Sequence, residues 1–159
     1  MYYNFGKYTI QNRGKMPVKN VSVNARLVEG YKIEVNSRQF VSMVDQPPTG
    51  GGTDTGPTPL EYLFVSLAGC VATIGQIIVK QKRLPVRGIE VLIDGELDTD
   101  VLMGKRDEIR AGFSNIRVTT KIDADMTKEE KEQFFRDIDA RCPISDNILN
   151  TSTINFIVE

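Results

Sequence analysis

The segment DQPPTGGGTDTGPTP, residues 45–59, constrains the fold of this chain more than any other. It contains three consecutive glycines and four prolines, a composition that excludes a helix or an inner strand. The regular elements before it and after it must therefore form separately.

Short strand-like runs precede this segment. Apolar and polar residues alternate over residues 21–27 and again over 31–35, with a turn at Glu29-Gly30 between them, and QFVSMV at 39–44 continues the sheet. This pattern predicts a small antiparallel sheet with one solvated face. Residues 1–17 show no sustained period and are interpreted as an N-terminal extension, so that residues 18–159 form a single domain.

A long helix is predicted directly after the segment. Thr58 is a suitable N-cap, Pro59 suits the first helical position, and Glu61 suits the positive first turn. Apolar residues then recur at helical spacing, at Leu60, Leu63, Phe64, Leu67, Val71, Ile74 and Ile78. We expect a buried central helix.

The second half of the chain repeats this order of elements. Alternation over residues 89–94 and 116–122 predicts a long hairpin, and Thr127 with Glu130 forms a capping-box pattern before a second helix that Pro143 interrupts. Alternation over residues 154–158 predicts a last strand. The fold class is therefore α+β, with two antiparallel sheet groups around two helices.

Composition excludes several classes of function. Lys and Arg total 20 against 21 Asp and Glu, so a net charge of −1 gives no field that would attract nucleic acid. The apolar run at 64–79 is short for a membrane span, and no secretory signal is evident, so a cytoplasmic protein is expected. With no His and two Cys, neither a His-dependent catalytic site nor an ordinary structural zinc site is expected.

The two cysteines are the candidate functional residues. Cys70 falls on or beside the apolar stripe of the long helix, where a cysteine commonly packs as a small apolar side chain. Its small neighbours Ala68, Gly69 and Ala72 leave room for a reactant. Cys142 precedes Pro143 and is a predicted helix N-cap, a position that favours a thiolate and that we expect to be exposed enough to react.

A nearby cation would activate such a thiol. One positive charge about 4 Å away contributes about 4 kcal/mol at an effective dielectric constant of about 20. Arg26 and Arg38, in the first sheet, are the candidates, although either can equally be an ordinary surface charge.

The run DQPPTGGGTDTGPTPLEYLFVSLAGC, together with CPIS at 142–145, resembles the OsmC/Ohr family of thiol-dependent hydroperoxide reductases. The resemblance implies an intertwined homodimer with active sites at the subunit interface. It implies that Cys70 attacks an organic hydroperoxide and becomes a sulfenic acid, and that Cys142 resolves it as a disulfide. A thiol, dithiol or lipoyl carrier would then reduce the pair, and no cofactor or metal is implied.

The sequence departs from the family pattern beside the thiols. Where family members have a glutamate that hydrogen-bonds an essential arginine, this chain has Leu60, and the nearest acid is Glu61. The segment before the helix contains no arginine, which leaves Arg38 or Arg26 as possible thiolate support. Three hypotheses follow: a two-cysteine peroxidase, a non-enzymatic binding protein of the same fold, or a purely structural disulfide.

Overall fold

The computed structural model describes residues 17–159. The predicted N-terminal extension therefore lies outside the described residues except for Pro17. The chain divides into two compact units, with the boundary between Gly56 and Pro57. The expectation of a single domain over residues 18–159 stays a prediction.

The N-terminal unit contains a three-stranded antiparallel sheet. Its strands are β1 (Asn24–Glu29), β2 (Lys32–Ser37) and β3 (Phe40–Val44), in the order β1-β2-β3. The predicted hairpin and its third strand are thus confirmed. Gly30, at the first turn, has φ +54°, a conformation that glycine adopts without steric cost.

The expectation of one solvated face is wrong for β1. All six of its residues are exposed, so the apolar side chains of the alternating pattern are not covered. The period of a strand shows which residues share a face, but it does not show whether the same chain supplies something to cover that face.

A buried carboxylate organises the loop that follows β3. Asp45 is 1% exposed. Its Oδ2 accepts hydrogen bonds from the backbone N–H and hydroxyl of Thr53 (3.2 and 2.7 Å) and of Thr55 (3.1 and 2.9 Å). Its Oδ1 accepts one from the N–H of Gln46 at 2.8 Å. Together these bonds hold the pKa of Asp45 well below its usual range, and the bond from the Thr53 hydroxyl contributes most.

Two glycines of this loop lie directly against backbone. A Cβ atom on Gly52 would lie 2.0 Å from the carbonyl oxygen of Gln46, and one on Gly56 would lie 2.2 Å from that of Met43. Backbone cannot move aside as the end of a side chain can, so both positions require glycine for close packing rather than for an unusual φ.

We expect Gly52→Ala to lower the free energy of unfolding by about 2 kcal/mol or more, because the new methyl group forces the loop off Asp45. Urea denaturation measures this change. Gly50→Ala is the matched control, since its Cβ would come no closer than 3.5 Å to Gln46. Equal losses in the two variants would show that the close approach is not the cause.

The C-terminal unit packs helices on a long hairpin. Strands β4 (Val86–Glu96) and β5 (Asn115–Ala124) pair antiparallel, as predicted, and the short helix α2 (Thr99–Leu102) lies in their connection. Helix α1 (Pro59–Lys82) packs against β4, α3 (Lys128–Asp139) and α4 (Pro143–Leu149). The buried cluster consists of Leu67, Val71, Ile78, Phe134, Ile138 and Cys142.

The predicted start of α1 is confirmed in detail. The Thr58 hydroxyl accepts from the N–H of Glu61, and the Glu61 carboxylate accepts from the N–H of Thr58, which is a complete capping box. Thr127 and Glu130 form the same pair at the start of α3. Both helix starts could be predicted because capping depends on local sequence alone.

Helix α1 is buried along one stripe only, formed by Leu67, Val71, Gly75 and Ile78. The expectation of a buried central helix is therefore confirmed along this stripe, whereas Val65, which lies off the predicted stripe, is 56% exposed. By length and composition α1 could also cross a membrane. The packing of its stripe on β4, α3 and α4 is the arrangement of a core helix.

The predicted last strand is also wrong. Residues 151–159 have no regular structure, and Ile154, Phe156 and Val158 are 72%, 90% and 97% exposed. A strand requires a neighbour that completes its hydrogen bonds, and the described part of the chain provides none for this segment.

Candidate active site

The structure brings the two cysteines together. Cys70 lies in the middle of α1, Cys142 is the N-cap of α4, and their Sγ atoms are 2.7 Å apart as free thiols. The separation is below van der Waals contact, so a disulfide, with an S–S bond of about 2.05 Å, needs only a small side-chain movement. The core of the C-terminal unit thus contains a preformed dithiol.

The two thiols differ in access. Cys142 is 2% exposed, whereas Cys70 is half-buried. The expectation that Cys142 is exposed at the helix start is therefore wrong, because its side chain turns into the core cluster. A reactant from solvent can meet the Cys70 sulfur first, and Cys142 lies behind it.

The first turn of α4 contacts both sulfurs. The N–H of Ser145 donates to Cys142 Sγ at 3.4 Å, and the N–H of Ile144 donates to Cys70 Sγ. Backbone donors at a helix start favour a thiolate. The predicted N-cap role of Cys142 is confirmed, but the donor to Cys70 was not predicted.

Burial dominates the acidity of Cys70. Burial raises the pKa of the Cys70 thiol, the hydrogen bond with Cys142 raises it further, and the Ile144 N–H lowers it. The net direction is upward. Among the described residues of the C-terminal unit, no cation offsets the burial of this sulfur.

Neighbouring elements hold α4 in place. The backbone N–H of Cys142 donates to the carbonyl of Asp139 at 3.1 Å, and the Ser145 hydroxyl donates to the Asp139 carboxylate at 2.6 Å. The end of α3 and the start of α4 are thereby joined in a tight turn. That turn directs Cys142 toward α1.

The proposed thiolate-supporting residues lie on other elements. Arg38 occupies the turn between β2 and β3 with φ 55°, and its guanidinium lies 5.2 Å from the ring centroid of Phe40. Arg26, on β1, is 3.8 Å from the carboxylate of Glu34. Both arginines belong to the N-terminal unit.

Glu61 is engaged in the cap of α1. Its Oε2 accepts from the Thr58 N–H at 2.7 Å and from the Thr58 hydroxyl at 2.8 Å, and these bonds lower the pKa of Glu61. It precedes Cys70 by nine residues, about 13 Å along a helix axis. Glu61 can therefore affect the Cys70 thiol only through another group.

Sequence reasoning missed the backbone donors and the loop carboxylate. The donor from Ile144 follows from Cys-Pro at a helix start, because the N–H groups after the proline point back toward the cap. The role of Asp45 had a weaker signal, an acid followed closely by Thr53 and Thr55 in a loop rich in Pro and Gly.

Known proteins share this arrangement of elements. A sequence model of the family described as OsmC-like protein matches residues 51–157. The solved structure of an OsmC-like protein from Mycoplasma pneumoniae is similar, with 20% identity, a TM-score of 0.73, and coverage of 84% of this chain and 89% of that one. No curated protein sequence matches this chain significantly.

Two further solved structures carry names that refer to hydroperoxide. An organic hydroperoxide resistance protein from Elizabethkingia anophelis is 17% identical with a TM-score of 0.63, covering 86% of this chain and 92% of that one. One from Legionella pneumophila is 14% identical with the same TM-score, covering 83% and 90%. At these identities the structures support the fold, while the sequence model extends over more than half of the chain. This chain therefore belongs to the OsmC/Ohr family.

Proposed function

We propose that this protein is a thiol-dependent peroxidase that reduces organic hydroperoxides in the cytoplasm. The Cys70 thiolate attacks the O–O bond of the hydroperoxide; the sulfur takes one oxygen and becomes a sulfenic acid, and the other oxygen leaves, with a proton, as the alcohol. The Cys142 thiol then condenses with the sulfenic acid, which forms the disulfide and releases water. A thiol, dithiol or lipoyl reductant restores both thiols.

The 2.7 Å separation of the two sulfurs carries this proposal. The difference in access supports the assignment of roles, since the half-buried Cys70 can meet the substrate and the buried Cys142 can meet only Cys70. A sulfenic acid formed at Cys70 would have its resolving partner already in place. That proximity favours resolution over further oxidation.

The raised pKa of Cys70 leaves a requirement for a cation. We propose that a guanidinium from the N-terminal sheet meets it, with Arg38 as the first candidate and Arg26 as the second. Glu61, already ionised at the start of α1, would orient that guanidinium rather than the sulfur.

Extensive uncovered apolar surface supports the homodimer. Both faces of β1 are exposed, as is part of α1, and so are the apolar side chains of the segment 151–159. Monomeric proteins rarely expose large apolar patches. We propose that a second copy covers it and completes each site.

Among the described residues of the C-terminal unit no cation acts on the Cys70 thiol, which favours one alternative function. A member of this fold that binds a small apolar molecule without reducing it would not need an acidic thiol. Such a protein would hold its ligand equally well after Cys70→Ser.

Treating the reduced protein with cumene hydroperoxide tests the proposal. We expect one equivalent of peroxide to be consumed, with loss of two hydrogen atoms and a Cys70–Cys142 disulfide in the peptide map by mass spectrometry. Cumyl alcohol should appear in equal amount.

The Cys142→Ser variant is the matched control. It should consume peroxide once and accumulate a sulfenic acid at Cys70 that a dimedone reagent traps. Unchanged peroxide with both thiols intact would contradict the peroxidase and leave the binding function. A disulfide that forms but resists excess dithiol would instead indicate a structural bridge.

A further inference from the structure

A groove in the C-terminal unit lies apart from the thiols. It runs between β5 and α3, has a volume of about 380 Å³, and neither cysteine lines it. Its apolar lining consists of Val118, Ile122 and Phe135. A groove of this size falls within the range of small-molecule sites.

The rim of the groove carries an excess of positive charge. Lys128, Lys131 and Arg136 line it with a single acid, Glu132. Glu132 is 3.9 Å from Lys128, in an exposed pair that offsets little of the charge. The guanidinium of Arg136 donates to the amide oxygen of Gln133 at 3.1 and 2.9 Å and forms no ion pair with a described residue, although it attracts Asp137 over a longer distance.

Among these cations, Lys131 is the one best placed to bind an anion. It is half-buried against the groove and forms no ion pair with any residue between 17 and 159, although it attracts Asp123 over a longer distance. A lysine that packs its stem along apolar surface while its ammonium stays unpaired is suited to meet an anion at the edge of that surface.

A threonine also lines the groove. Thr120 lines the groove between Val118 and Ile122, and its Oγ1 is the one buried side-chain oxygen or nitrogen in the described residues without a hydrogen-bond partner. A buried hydroxyl without a partner destabilises a fold.

We propose that this groove binds an organic monocarboxylate with a hydrocarbon body. The body would lie on Val118, Ile122 and Phe135, and the carboxylate would meet Lys131 with Arg136 or Lys128. Neither cysteine would take part in this binding. A neutral apolar ligand would not pair with the cations of the rim. A polyanion would not pack on the apolar residues of the groove.

Titration calorimetry with sodium decanoate tests this site. We expect decanoate to bind and decan-1-ol and decyltrimethylammonium to bind at least about tenfold more weakly, since a difference of about 1.4 kcal/mol is tenfold in affinity. Lys131→Glu should weaken decanoate about tenfold.

Lys121→Glu is the matched control. Lys121 lies on β5 beside Thr120 but outside the groove, 3.3 Å from Glu90, and its reversal should leave decanoate affinity unchanged. Equal effects of the two reversals, or equal binding of the three ligands, would overturn the proposal.

Two further results separate this site from other occupants. Cys70→Ser should bind decanoate as the parent protein does, and loss of binding there would assign the ligand to the thiol site and overturn the proposal. If decanoate fails to bind and Lys131→Glu changes the sedimentation coefficient, a second copy covers the groove and the proposal is wrong. Neither result bears on the peroxidase.

Discussion

Cys70→Ser is expected to abolish the reduction of cumene hydroperoxide with dithiothreitol, lowering the rate by about a thousandfold or more, because a serine hydroxyl is not ionised at neutral pH. Serine is close to cysteine in size, and Cys70 is only half-buried, so the fold should persist. The measurement is the disappearance of hydroperoxide under excess dithiothreitol, with circular dichroism to verify folding.

The Cys142→Ser variant gives the contrast. It should retain the first chemical step, with fast consumption of one equivalent, but turn over more slowly since the sulfenic acid must react directly with external thiol. Activity in Cys70→Ser that equals the parent's would exclude Cys70 as the nucleophile. Equal and complete loss of the first step in both variants would mean that the two thiols are not divided between attack and resolution.

The second large effect is expected at Asp45. Asp45→Asn should lower the melting temperature by about 5 °C or more, because an amide replaces one acceptor oxygen with an NH2 group that faces other donors. The donors of Thr53 and Thr55 all converge on Oδ2, so no amide orientation restores every bond. Differential scanning calorimetry measures the shift.

The same variant should change the dependence of stability on pH. The native pKa of Asp45 lies below its ordinary value of 3.8, so the carboxylate stabilises the fold above about pH 4 and this contribution is lost as the pH falls toward the native pKa. Between pH 5 and pH 3, roughly the range over which an unfolded Asp protonates, the parent should lose more stability than Asp45→Asn. Other carboxylates are the same in both proteins and cancel.

Asp54→Asn provides the matched control. Asp54 is exposed in the same loop with φ 57°, a conformation that asparagine accommodates well. Its melting temperature should stay within about 1 °C of the parent's, as for most surface substitutions. A loss equal to that of Asp45→Asn would show that the loop is sensitive to charge in general and not to the buried carboxylate.

The local elements were predictable because their signals are local. Thr58 with Glu61 and Thr127 with Glu130 fixed two helix starts, and Cys142 before Pro143 fixed a third. The two hairpins followed from alternation bounded by turn residues. Each of these features depends on residues within one or two turns of chain.

The remaining features depend on contacts between distant residues. That Cys142 is buried follows from the turn between α3 and α4, which no pattern around Cys142 reveals. The segment at 154–158 alternates as a strand does, yet no described strand of the same chain pairs with it. The proximity of the two sulfurs was implied by family resemblance and not by spacing.

The sulfur of Cys142 makes two contacts. It accepts from the Ser145 N–H as the cap of α4, and it contacts the sulfur of Cys70. A disulfide at Cys142 changes how strongly its sulfur accepts the hydrogen bond from the Ser145 N–H. Helix α4 has only seven residues, so its first turn frays readily when this cap is weakened. Hydrogen exchange of the backbone amides in the first turn of α4 should therefore differ between the dithiol and the disulfide forms of the protein.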